Sequence, residues 1–523
     1  MKTARVFWCA AMCLLVTLSA SATGAPEQEP GGEVSGGRKV LELDIIEFGG
    51  VNPERPTLYE EEMLKRWGIK FDFDDVPGGA EGEQKMNLLF ASGSEPHVVT
   101  HCPFDKDAKT RWGIEGHLVA FSDHLNEIPN YRALWETQEE WDFMYANCKA
   151  SDGKLYYLPF LAQTPGMLAW IYRKGTFDKW GLEFPRSDEE LYSLCKTILQ
   201  EDPNAVPITG RNGLHWWLQG FETMFRTCGG GLTRDRIFFL DPDTNKLTYG
   251  PETDKYRDCL EFMSRLYDEE LMDKEFLTLT TQQWTERYAE GLPYIQFSYG
   301  TRGTWANTTM ADADPAAGWD WSRVWIDAYN KTPLAVRDAP FFHFGPIITK
   351  RCNAEEADRL LEYMNWACTE EGIVFSNFGV EGITYNYVNG VPVFTDLIKT
   401  LDNPDGKHVI MWGFASIYFI VRHPEAIRTQ QGPVFLDVGK AVGKQDYIKS
   451  IAWELTEAQD KELINLETVL NDVRDEYITK FILGTLDVND DAVWRQFQDD
   501  LKKAGLERAR EIREAAFSVS SVN

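Results

Sequence analysis

The chain has 523 residues, 43% of them hydrophobic, too long for one simple core and apolar enough for two or three. Its 82 acidic and 53 basic residues leave a net charge of −29. That balance excludes broad attachment to nucleic acid or anionic lipid, which both require positive charge, and no basic stripe interrupts it.

At the N-terminus, Lys2 and Arg5 precede an apolar run from Val6 to Leu18, and Ala20-Ser21-Ala22 fits a cleavage site. Residues 1–25 are expected to be a signal peptide, since the run is short for a membrane span. Residues 26–38, rich in Pro, Gly and Glu, are expected to be a flexible linker. Cys13 is not set in a lipid-attachment box, so a periplasmic or extracellular protein is expected ahead of a lipid-anchored one. Loss of Cys9 and Cys13 with the signal leaves seven widely spaced cysteines, which do not form a disulfide scaffold. His97, His101 and Cys102 lack a fourth ligand at metal-binding spacing, so neither a metal nor a cofactor is expected.

The fold is expected to start near Lys39. Val40 to Phe48 reads as a strand, Tyr59 to Trp67 as a helix, Ile69 to Val76 as a strand, Gly82 to Ala91 as a helix and His97 to Thr100 as a strand. This is the pattern of an open α/β sheet. Helices are expected over Asp188–Gln200, Tyr256–Glu269 and Ala354–Thr369, and strands over Leu292–Ser298 and Phe344–Thr349. Beyond about residue 440 the pattern is helical: Asp446–Ile451, Ala458–Lys480, Asp490–Ala504 and Glu507–Ala516. A nucleotide-binding enzyme is the competing α/β reading. Neither Gly78-Gly79 nor the Cys-Gly-Gly-Gly run at 228–231 has GxGxxG spacing, and there is no GxxxxGK[ST].

Several segments carry a family likeness: KMNLLFASGSEPHVV at 85–99, SDGKLYYLP at 151–159, the strand, turn and helix of 171–204, FGVEGITYNYVNGVPV at 378–393, and YITKFILGTLD at 477–487. In these the sequence resembles the large bacterial extracellular solute-binding proteins of carbohydrate ABC transporters, the branch with alginate-binding proteins and Gram-positive lipoproteins. The resemblance runs from about residue 40 to 518. It implies an α/β, two-lobed periplasmic-binding-protein fold with discontinuous lobes, a helix-rich C-terminal region and ligand held between the lobes. The expected boundaries are 39–160 plus 293–350 for one lobe and 161–292 plus 351–518 for the other. The implied function is capture of a carbohydrate, an oligosaccharide by preference, for uptake by membrane permease subunits. The chain is expected to act as a monomer, without nucleic acid and without catalysis. Secreted carbohydrate-active enzymes and sugar sensors are the alternatives.

Two departures from the family pattern stand out. Asp202-Pro203-Asn204 runs straight into Ala205-Val206-Pro207, where many relatives have an oxygen-rich calcium loop. Gly175 stands where the family usually has Asp.

Candidate ligand residues follow from sugar chemistry. Sugar rings present apolar C–H faces that stack on flat aromatics, and hydroxyls that need a polar rim. The chain has 18 Trp, 20 Tyr and 30 Phe. Trp216 and Trp217 lie in a Gly-flanked segment, and as neighbours they cannot both face one core. Tyr299, Arg302 and Trp305 follow a predicted strand, His343 precedes another, and Trp412 sits beside Gly413. Glu381 lies between glycines that allow close backbone approach. Glu47 and Asn52, near the end of the first strand, take the position where α/β sheets present ligand groups. The abundant carboxylates carry no catalytic signal of their own, and no GxSxG or HExxH spacing is present.

Overall fold

Leu41–Phe48 forms β1, in which Leu43, Ile45 and Ile46 are buried. The chain, seen here as a computed structural model, is described over residues 34–35, 37–48, 55–76, 79–102, 104, 106–161, 168–211, 213–229, 238–332, 334–335, 341–399, 414, 421, 423, 425–426, 433–447 and 451–518. The expected signal peptide and most of the expected linker lie outside these residues.

Helix α1, Leu58–Trp67, begins at a Thr57/Glu60 capping box and ends at Gly68, whose φ of 62° is left-handed. Ile69–Val76 (β2) pairs parallel with β1 along its whole length. Its Lys70, Asp72 and Asp74 face water while Ile69 is buried and Phe71 and Phe73 are half-buried against the core, the alternation of a strand with one wet face. Gly79–Ser92 (α2) leads to Val98–Cys102 (β3), parallel to β1 on its other side.

The chain then leaves this sheet through Phe160–Leu161 (β4). A second layer follows: Leu168–Arg173 (β5), Lys174–Trp180 (α3), Asp188–Glu201 (α4), Val206–Thr209 (β6), Leu214–Met224 (α5), Asp254–Asp268 (α6), Thr281–Ala289 (α7), Pro293–Tyr299 (β7), Arg302–Thr309 (α8) and Trp319–Trp321 (β8). The sheet order is β8-β5-β7-β6, with β6 and β7 parallel and β5 antiparallel to β7. Every residue of β5 is buried, because both faces are covered. Leu168, Trp170 and Tyr172 join one core, while Ala169 and Ile171 join a smaller aromatic one with Trp284, Tyr288 and Trp319.

Phe341–Phe342 (β9) returns antiparallel to β4, and Leu161 of β4 also bridges Val421. Gly345–Ile348 (β10) then pairs antiparallel with β3, completing the order β10-β3-β1-β2. Ala354–Ala367 (α9) and Glu370–Phe378 (α10) pack onto that first core. The C-terminal helices Glu457–Ile482 (α11), Asp491–Lys503 (α12) and Leu506–Ala516 (α13) cover the second core through Leu470, Phe481, Phe497 and Ile512.

The result is a two-lobed α/β fold, each lobe carrying its own four-stranded sheet, with the chain passing between them three times. The strand Pro293–Tyr299, grouped with the first lobe by the expected boundaries, hydrogen-bonds into the second sheet, and α9, grouped with the second, packs on the first core. Strand pairing and burial are non-local choices that a linear pattern does not encode. One element differs in kind. Asp446–Ile451 was expected to be helical, but Asp446–Tyr447 is a short strand parallel to Leu334–Ala335.

Gly175 has a steric reason. A Cβ there would sit 2.1 Å from the carbonyl oxygen of Ala316, which approaches because Asp314 is tied to Arg173 at 2.5 Å. Asp202 is also accounted for: it accepts the Tyr294 hydroxyl at 2.9 Å and the Asn204 amide at 3.1 Å. All seven cysteines beyond the expected signal are thiols.

Candidate functional site

In the parallel pair of β6 and β7, Thr209 at the end of β6 lies opposite Gln296, and β7 runs on to Tyr299. The carboxyl edge of a parallel pair leaves a crevice between the outgoing loops. Gly210 and Arg211 leave β6 there, and α5 starts after Gly213. Between them is a narrow pocket, lined among others by Trp170, Thr209, Arg211, Trp216, Gln296 and Phe297.

Helix geometry separates the two adjacent tryptophans. Successive helical residues point about 100° apart, so one can face the core and the other the crevice. Trp217 turns inward, 4% exposed, with its ring centre 5.6 Å from that of Phe276. Gly210 makes room for it, since a Cβ there would lie 2.6 Å from the indole. Trp216 is half-buried on the pocket wall and meets Tyr299 edge-on at 5.6 Å.

The polar rim is held in place from behind. The Tyr288 hydroxyl donates to Gln296 Oε1 at 2.7 Å, inside the sheet. The Thr209 hydroxyl donates to Asp273 at a long 3.4 Å, and Arg287 pairs with the same carboxylate. Arg211 places its guanidinium 5.0 Å from the centre of the Trp284 ring. Arg302 lies 5.9 Å from the same ring and 5.4 Å from that of Trp305. Burial, and then the nearby charge of Arg302, lower the proton affinity of Arg211, which remains a cation all the same.

Four expected residues, Trp216, Tyr299, Arg302 and Trp305, thus gather at this end of the second sheet. Trp217 lines the pocket from within the core. His343 lies elsewhere, at the end of β9 in the first lobe, sharing a 2.6 Å hydrogen bond with the Tyr157 hydroxyl and lying 3.8 Å from Cys148 Sγ. Glu381 is exposed beside the hairpin of Tyr385–Val388 and Val391–Phe394, where the Gly382 amide donates to the Tyr385 carbonyl. The backbone of Glu47 pairs opposite Asp75 in β1 and β2. Its side chain, Asn52 and Trp412 lie outside the described part of the structure.

Arg211, Trp284, Trp170 and Gln296 escaped the sequence reading. Arg211 carried a usable signal, because it follows a β-branched strand and a glycine, the position from which Glu47 and Asn52 were selected. Trp284 and Gln296 carried none, being ordinary helix and strand residues until the sheet is assembled.

Comparison with known proteins identifies the architecture. Residues 52–342 match the sequence profile described as bacterial extracellular solute-binding protein. The chain belongs to that family. This agrees with the likeness carried by 85–99, 151–159 and 171–204, which lie inside the matched residues. The chain is 21% identical over 495 residues to Lipoprotein LipO of Bacillus subtilis (strain 168), covering 90% of this chain and 92% of that one. Among solved structures, the alginate-binding protein AlgQ2 without calcium ion aligns with a TM-score of 0.71 and 21% identity, over 91% of this chain and 97% of that one. The Streptococcus pneumoniae ABC-transporter substrate-binding protein FusA in complex with kestose aligns with a TM-score of 0.70 and 14% identity, over 91% and 98%. Both likenesses place this solute-binding protein in the same two-lobed fold.

Proposed function

We propose that this solute-binding protein captures an oligosaccharide outside the cytoplasm and delivers it to the permease subunits of an ABC transporter. The observation that carries the reading is the pocket at the carboxyl end of β6: the indoles of Trp216 and Trp170 share its lining with the polar side chains of Arg211, Thr209 and Gln296. A sugar needs that pairing of an apolar face with a polar rim. AlgQ2 is named for alginate and FusA was solved with kestose, which supports carbohydrate as the solute class here. The lobes would close on the ligand by bending at the three passes between them, beside β4 and β9. The signal peptide would be removed on export, leaving a monomer in the periplasm or at the cell surface.

Calorimetric titration of the mature chain with neutral and acidic oligosaccharides of two to six residues tests this. Saturable heat and a raised melting temperature are expected with at least one of them. Absence of both across the panel would overturn the reading. Chromatography of the same sugars after long incubation should return them intact, and cleavage would replace a receptor with an enzyme.

A further inference from the structure

We infer that the pocket selects a sugar bearing an anionic group, and that Arg211, with Arg302 beside it, receives that charge. This rests on the carbohydrate-binding reading above and adds the chemical class of the ligand.

The argument begins with pairing. The chain has 82 acidic residues against 53 basic ones, so carboxylates are plentiful. Other inward-facing arginines have taken one: Arg173 pairs with Asp314 at 2.5 Å, Arg226 with Asp243 at 3.1 Å, Arg474 with Asp475 at 2.7 Å and Arg513 with Glu467 at 2.7 Å. Arg211 is half-buried and lines the pocket, yet no carboxylate among the described residues pairs with it. Its neighbour Arg302 is a second cation, drawn to the same Trp284 ring. Like charges gathered in a partly desolvated site repel, and an anion arriving there relieves the repulsion as well as making new bonds.

The way Arg211 is held suits that role. A guanidinium held over an indole, as Arg211 is at 5.0 Å from the Trp284 ring centre, keeps N–H donors for a planar acceptor. A carboxylate matches such donors with two parallel hydrogen bonds, as does a sulfate ester. The carboxylates nearby are already answered: Asp273 by Arg287, and Asp475 by Arg474 and by His215 at 3.5 Å. The whole-chain charge of −29 opposes a dense polyanion, but salt screens that field beyond about 8 Å. An oligosaccharide with one or two charges at the Arg211 position fits both facts.

The test compares three probes by calorimetry on the mature chain: uronic acid trimers, the same trimers with every carboxyl methyl-esterified, and sulfated trimers of neutral sugars. The expected result is that an acidic trimer binds about 10-fold or more tightly than its uncharged counterpart, the loss typical of one charge-assisted hydrogen bond. The better of the uronate and sulfate arms names the group. Arg211→Gln should bring acid and ester to within about twofold while the melting temperature of the free protein stays close to that of the parent. The ester comparison on the unaltered protein stands even if that variant fails to fold. Equal binding of acid and ester, or a preference for neutral sugars, overturns the anionic assignment and leaves sugar capture intact. Failure of every sugar, charged and neutral, overturns both.

Discussion

The indole of Trp305 lies parallel to that of Trp284, with ring centres 4.4 Å apart and planes 5° from coplanar. Trp284 on α7 is 1% exposed, and Trp305 reaches it from α8 and remains half-buried. The pair thus joins two helices and gives Arg211 and Arg302 the ring on which they rest. Trp305→Ala should destabilise the second lobe by about 3 kcal/mol, through lost area and the cavity left above Trp284. Trp305→Phe should recover part of that loss. Urea unfolding of the three proteins in parallel reads the difference. A Trp305→Ala protein as stable as the parent would mean that the stack contributes nothing to the joint.

Trp216 and Trp217 are neighbours in opposite surroundings, one half-exposed and the other in the core. Trp217→Ala removes a ring enclosed by Gly210 and Phe276 and should cost about 3 to 5 kcal/mol in stability. Trp216→Ala should change stability by less than about 1.5 kcal/mol, since its ring is partly in water already. Its effect should fall on ligand affinity instead, weakening it on the order of 10-fold through loss of a stacking face. Melting curves and titrations with the best oligosaccharide separate the two effects. If affinity holds in Trp216→Ala, the ring is only part of the lobe's surface.

The elements most legible in the sequence were those with local signatures. β2 was bounded at Ile69 and Val76, and α4 was read within a residue of its end, because alternation, caps and helical spacing are written in adjacent residues. The destination of β7 was not legible: its sequence identifies a buried strand, but β5 and β6, more than 80 residues earlier in the chain, decide which sheet receives it. Asp446–Tyr447 became a strand because Leu334–Ala335 offers it an edge, a tertiary choice that overrides local preference. The site was half legible for the same reason. Trp216 and Tyr299 carried signals as aromatics beside glycine or at a strand end, whereas Trp284 and Gln296 acquire their positions only when α7 and β7 come together with β6.

His343 links stability to pH. Burial first, then the charges of Lys109 and Lys106, push its imidazole down to about 3, so it is neutral in the folded chain where it meets Tyr157. An unfolded chain would protonate it near 6.5, so the unfolded state binds more protons between about pH 6.5 and 3. Stability from this group is therefore present above pH 6.5 and is lost as the pH falls through that window. Some of the residue is still reached by water, which screens the effect to the order of 2 kcal/mol. His343→Gln should lower stability at pH 7.5 but flatten its decline between pH 6.5 and 4. Parallel unfolding curves at four pH values would show this, and identical slopes in both proteins would remove His343 as a cause.

Gly175 offers a test of how tightly the second lobe is built where the chain leaves β5. The residue opens α3, and its amide donates to the Ala317 carbonyl at 2.9 Å, bringing the 314–318 loop against the helix start. Asp314 fixes that loop from the other side, accepting hydrogen bonds from Arg173 at 2.5 Å and from the Thr176 hydroxyl at 3.3 Å. The atoms such a Cβ would meet are backbone atoms of Ala316 and Ala317, with no flexible side chain to give way, so a Cβ 2.1 Å from the Ala316 oxygen must move the loop itself. Gly175→Ala should therefore destabilise by about 3 kcal/mol, at the upper end of what overpacking costs. Gly175→Asp should do at least as much, because it brings a carboxylate toward Ala316 O as well as a Cβ. Adding Asp314→Asn to Gly175→Ala should cost less than the two single losses together, since a loosened loop can retreat from the new methyl group. Simple additivity in that double mutant would show that the salt bridge to Arg173 does not set the loop's distance from α3.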